Sequence, residues 1–199
     1  MVRTSFAAVL LVFAGVFTLA LRAQNPSPVL DGPDLRDGRL AFPSQYREWV
    51  FLSAGLGMNY GPNAPAPGQP QSFTNVYVNP ASYRAFMQSG AWPDRTLFVL
   101  EIRNAASEGS INHSGHYQTD LVAIEANVKD ARLPGGWGFF NFGSQQGGMA
   151  PLPTTATCYT CHAANGAVEH TFVQFYPALM DIARMFGTVK ADYHDRDRW

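Results

Sequence analysis

The chain has 199 residues, with 14 Lys+Arg against 15 Asp+Glu and a formal net charge of −1, so it lacks the basic excess of a nucleic-acid binder and nucleic acid is not an expected partner. With 46% hydrophobic and 15% charged residues, it can bury a sizeable core and is too weakly charged to remain a solvated disordered polymer. Both of its cysteines lie in one five-residue run, Cys158-Tyr-Thr-Cys161-His162, which excludes a disulfide framework.

Residues 1–23 read as a secretory signal. Arg3 precedes an uncharged apolar run from Phe6 to Leu21, and Leu21-Arg22-Ala23 leads to Gln24, with cleavage expected after Ala23. The run is slightly short of the ~18–20 residues of a spanning helix, and no basic stop-transfer cluster follows; an uncleaved anchor is the alternative. Removing Arg3 and Arg22 with the signal leaves a net charge of −3 and a chain expected to be periplasmic or secreted. Residues 24–42, broken by Pro26, Pro28 and Pro33 and by Gly32 and Gly38, read as an extended leader wrapping the surface.

Ser44 is expected to cap a first helix whose apolar face is Tyr46, Trp49, Val50 and Leu52, ending near Gly55. A proline-rich loop from Asn59 to Gln71 follows. Phe73 to Val78 reads as a strand ending at Asn79-Pro80, where a short helix begins that runs to about Gln88 and is closed by Gly90. After the turn Trp92-Pro-Asp-Arg-Thr96, strands are expected at Leu97 to Arg103, Tyr117 to Val128 and Trp137 to Phe142, without helices long enough for parallel crossovers, so the sheet should be antiparallel. Gly147 to Thr157 is loop. Thr171 to Gly187 has helical apolar spacing, with Pro177 starting or kinking the helix.

The run Cys158-Tyr-Thr-Cys161-His162 is the attachment signature of a c-type haem: two thiols add to the porphyrin vinyl groups and the adjacent imidazole of His162 ligates the iron. A redox dithiol would share the spacing, but normally lies between a strand and a helix rather than after a Pro- and Gly-rich loop. A zinc site would need a fourth ligand from His113, His116 or His170. For the opposite side of the iron, alternation on the strand Leu97 to Arg103 places Phe98, Leu100 and Ile102 on one apolar face and Glu101 on the other. Met58, Met87, Met149, Met180 and Met185 are thioethers that would fill a sixth position, and Glu125 is a candidate catalytic proton acceptor on the next strand.

A late haem motif after a strand-rich middle contradicts an all-helical cytochrome. The blocks Tyr46-Arg-Glu-Trp-Val50, Asn75-Val-Tyr-Val-Asn-Pro80, Trp92 to Glu101, Val128-Lys-Asp130, Gly136 to Phe142, Cys158 to His162 and Thr171 to Pro177 occur in an order that resembles the cytochrome P-460 family and its relative cytochrome c′-beta, over about Phe42 to Pro177. The resemblance implies an α+β fold in which an antiparallel sheet is flanked by helices, with haem c attached near the C-terminus. Its haem domain would span 43–188, leaving a polar tail at 189–199. It also implies one covalent haem c with its iron, His162 as proximal ligand, a mostly five-coordinate iron and frequently a homodimer. In members that oxidise hydroxylamine, the block matching Trp92 to Glu101 carries a lysine, the candidate for a cross-link to the haem, at the position of Leu100. The expected function is therefore binding or conversion of a small nitrogen-oxide ligand, nitric oxide before hydroxylamine, with a redox partner protein. A pure electron carrier with a Met or His sixth ligand is the alternative.

Overall fold

The computed structural model describes residues 31–60 and 69–193. The expected secretory signal, the first residues of the expected leader (24–30), most of the prolines in the 59–71 loop and the end of the polar tail lie outside the described residues. Strands β3 (Val50–Leu56), β4 (Ser72–Val78), β5 (Thr96–Ala106), β6 (Tyr117–Lys129) and β7 (Trp137–Gly143) form one antiparallel meander in the order β3-β4-β5-β6-β7, after a small hairpin of β1 (Leu35–Arg36) and β2 (Arg39–Leu40). Helices α1 (Pro80–Ser89), α2 (Thr157–Asn165) and α3 (Pro177–Phe186) complete an α+β fold, as expected from strands joined by connections too short for crossovers.

Two expectations differ from the structure. The helix opening at Ser44 does not form: only Tyr46–Glu48 makes a 3-10 turn, and Val50–Leu56 is an edge strand paired with β4 from Val50↔Val78 to Leu56↔Phe73. The apolar residues read as one helical stripe serve opposite sheet faces. Trp49 is buried in the core that contains Leu97 and Phe140, whereas Val50 and Leu52 pack against the core that contains Val78 and Phe98. Strand pairing along Val-Phe-Leu overrides a helical spacing weakened by Gly55 and Gly57. Within the leader, residues 34–41 form a tight hairpin whose Asp37-Gly38 turn has φ of 49° and 71°, the left-handed pair that an Asp-Gly dipeptide supplies.

The sheet buries a core on each side. On one, Leu40, Tyr46 and Trp49 pack onto Leu97, Val99, Ile124, Ala126, Val128, Phe140 and Phe142. On the other, α1 and α3 cover Val78, Phe98, Trp137 and Phe139 with Phe86, Leu179, Met180 and Ala183. Helix α1 begins at Pro80 and ends on Gly90 (φ 67°) as its sequence predicts, but Asn79 does not cap it through its side chain. Asp31 accepts the Ala81 N–H at 2.9 Å instead, leaving the Asn79 carboxamide to accept the Leu97 N–H at 2.8 Å and tie the helix start to β5. Pro177 starts α3, and residues Val173–Phe175 before it form a separate 3-10 turn.

Candidate functional site

The loop through Pro151 and Pro153 delivers the chain to α2, so the Cys158-Tyr-Thr-Cys161-His162 run is helical. Three residues apart on a helix, Cys158 and Cys161 share a face. Both are free thiols and half-buried, and α2 buries none of its side chains completely. Two thiols on one face with an imidazole beside them is the donor set that a c-type haem takes, so these residues fit that group. Among the described residues no three His, Cys, Asp or Glu side chains converge as a metal site would require. His113 and His116 lie exposed between β5 and β6.

The His162 ring is held on three sides. Phe139 of β7 meets it edge-on with centroids 4.8 Å apart, Phe172 packs against it at 4.1 Å, and its Nδ1 lies 2.9 Å from the backbone oxygen of His170. A carbonyl only accepts, so Nδ1 donates, and Nε2 keeps its lone pair for a metal. Burial lowers the His162 pKa, an effect the hydrogen bond to His170 only partly offsets, and favours the neutral ring that coordination needs. The turn bearing His170 lies directly over the end of α2 because Gly166 has no side chain. A Cβ there would stand 2.7 Å from Thr171 N, 2.8 Å from Glu169 O and 2.9 Å from His162 O.

On the sheet, cross-strand pairing decides which side chains share a face. Leu100 pairs with Val76 on one side and Glu125 on the other, Ile102 with Thr74 and Ala123, and Glu125 with Asn141. Leu100, Val76, Ile102, Ala123 and Glu125 thus lie half-buried on the same face as Phe98, Phe139 and the α3 core. Phe98 is 2% exposed, wedged between Trp92 (4.7 Å) and Tyr176 (6.4 Å), and belongs to the core, whereas Leu100 remains accessible. Burial raises the Glu125 pKa, and the Asn141 amide donates to the carboxylate over a long 3.4 Å. Met58 also reaches this face: it lies over Gly55, where a Cβ would overlap its sulfur, and beside Thr74. Tyr60, next along, stacks on Phe172 at 5.9 Å. Among the other thioethers, Met87 and Met180 pack into the α1–α3 core and Met149 against the opposite face.

On the opposite face of β5 stands Glu101, 3% exposed, hydrogen-bonded by the Tyr46 hydroxyl, by Arg47 at 2.6 and 3.0 Å, by Arg103 at 2.7 Å and by Asn75 at 3.2 Å. Burial alone would raise its pKa, but these hydrogen bonds together outweigh it and pull the carboxyl down to about 2.

A family model for cytochrome P460 matches residues 43–173. The chain belongs to the cytochrome P460 family. No curated protein matches it. Membership makes this a haem protein with its iron. Three parts of this P460 site escaped the sequence reading: the Phe139–Phe172 sandwich, the His170 carbonyl and the need for Gly166. Alternation along β7 from the buried Trp137 could have placed Phe139; nothing local marks a carbonyl eight residues downstream as the partner of His162.

Proposed function

We propose that this P460-family protein is an exported cytochrome carrying one haem c, attached through Cys158 and Cys161 with His162 as proximal ligand, and that it binds or converts small nitrogen-oxide ligands, nitric oxide before hydroxylamine. When bound, the haem supplies an iron that takes diatomic ligands and exchanges electrons, its reactivity set by the polarity and access of the pocket. The observation that carries the reading is the strand face of Leu100, Val76, Ile102 and Ala123, half-buried and apolar, with Glu125 as its carboxylate. Such a lining disfavours water and anions, which would lose hydration without hydrogen-bond partners, and admits a small neutral ligand. Burial pushes the Glu125 carboxyl up from its ordinary value, and on this face it would exchange a proton with a ligand's oxygen or nitrogen.

Leu100 in place of the family's lysine favours ligand binding over hydroxylamine oxidation. The two lysines of the chain are engaged elsewhere: Lys129 donates to Trp92 O at 2.7 Å and to Glu169 at 2.6 Å, and Lys190 donates to Ala163 O at 2.8 Å. A homodimer and a redox partner protein complete the proposal. One observation favours the second reading, an electron carrier: the Met58 thioether lies on the same strand face and would offer a sixth ligand. Stopped-flow mixing of the ferrous protein with nitric oxide tests the proposal. Leu100→Ala should speed association several-fold by opening the face, while an absent spectral change, or identical rates in both proteins, would remove its basis.

A further inference from the structure

The His170 backbone oxygen accepts the His162 hydrogen bond within a tight turn, Val168 to Thr171, closed by Thr171 N–H to Val168 O at 3.0 Å. Glu169 in that turn has φ of 50°, a left-handed conformation that a glutamate adopts only when its surroundings hold it there. The restraints come from three separate parts of the chain. Glu169 Oε1 accepts from Lys129 Nζ at 2.6 Å, at the end of β6, and Oε2 accepts from Trp137 Nε1 at 3.1 Å, at the start of β7. Lys129 is itself fixed by donating to Trp92 O at 2.7 Å, and the Trp92 indole N–H donates to Thr171 Oγ1 at 2.9 Å. The His170 ring stacks on Trp137 at 5.6 Å and meets Tyr159 edge-on at 5.1 Å.

Resting on the reading of His162 as proximal ligand, we infer that Lys129, Glu169 and Trp137 are positioning residues. They clamp the turn so that the His170 carbonyl fixes the tautomer, orientation and donor strength of the His162 imidazole. A half-buried ion pair on a strained turn is otherwise a poor source of stability, since its desolvation offsets much of its attraction. Its placement on the partner of a metal-ligating histidine is the arrangement by which outer-shell groups tune a metal. A shorter Nδ1–H···O=C bond makes the imidazole a stronger donor and favours the ferric state; loosening the clamp weakens that donation.

The experiment compares Glu169→Gly and Lys129→Met with the wild-type holoprotein. Glycine accepts φ of 50° without strain, so this variant removes the carboxylate without adding backbone strain to the turn. Resonance Raman of the ferrous protein reads the iron–histidine stretch, and redox titration reads the midpoint potential. The stretch should fall and broaden, and the potential should rise, in both variants. A through-space charge effect would instead move the potential up when Glu169 is removed and down when Lys129 is removed, so opposite shifts, or an unchanged stretch, overturn the inference. If the wild type shows no iron–histidine stretch, the five-coordinate reading on which the inference rests fails, which is a distinguishable result.

Discussion

Replacing Glu101 by glutamine removes one buried charge from the centre of the Tyr46–Arg47–Arg103–Asn75 network and leaves its shape. With an ordinary value of 4.5 and a folded value of about 2, the carboxyl stabilises the fold at neutral pH by roughly 3 kcal/mol, at 1.36 kcal/mol per pKa unit. Arg47 is 56% exposed and its attraction is partly screened, so about 2–3 kcal/mol is the expected loss. The folded pKa is depressed, so this stability is present in full above the unfolded pKa and disappears as pH falls from 4.5 through about 2. Urea unfolding of wild type and Glu101→Gln at several pH values from 7 down to 2 measures the difference, with the slope against urea as a check that both expose the same surface. The gap should be widest at pH 7 and close towards pH 2. A gap independent of pH would mean that the side chain contributes packing rather than charge, and no gap at pH 7 would refute the network's energetic role.

Gly166→Ala forces a methyl group against three backbone atoms that cannot rotate away; a loss of about 2 kcal/mol in thermal unfolding is expected, together with displacement of the His170 turn from His162. Glu125 has a raised pKa, so its folded form holds a proton that the unfolded form has released, and stability should decline as pH rises from the unfolded value through the folded one. Glu125→Gln should lack that decline in melting curves taken between pH 4 and 8. Peptide mass spectrometry should find haem on the peptide containing Cys158 and Cys161 and on none containing Lys129 or Lys190; haem mass on a lysine peptide would restore hydroxylamine oxidation as the nearer function.

The strands of the meander were legible because each carries its own β-branched and aromatic run bounded by turn residues, as in Thr96–Ala106, and α1 and α3 because Pro and Gly mark both ends. The Val50–Leu56 strand was not, since what makes it a strand is the neighbouring β4 rather than anything in its own spacing. The Glu101 network is hidden with it, because Tyr46 and Arg47 reach Glu101 from the 3-10 turn that leads into this strand. At the site, the grouping of Cys158, Cys161 and His162 was readable because their spacing is local and falls within one helix. The supports of His162 were not readable: Lys129, Trp137 and Glu169 are distant in sequence and meet only where two strand ends reach the turn after α2.

The absorption spectrum of the purified ferrous protein, recorded before and after addition of nitric oxide, tests the central claim most directly. A pentacoordinate high-spin spectrum that converts to a nitrosyl form is expected from a His162-ligated iron facing Leu100 and Glu125. A low-spin six-coordinate spectrum that nitric oxide leaves unchanged would contradict it and assign the sixth position to a side chain, with Met58 the thioether nearest that face.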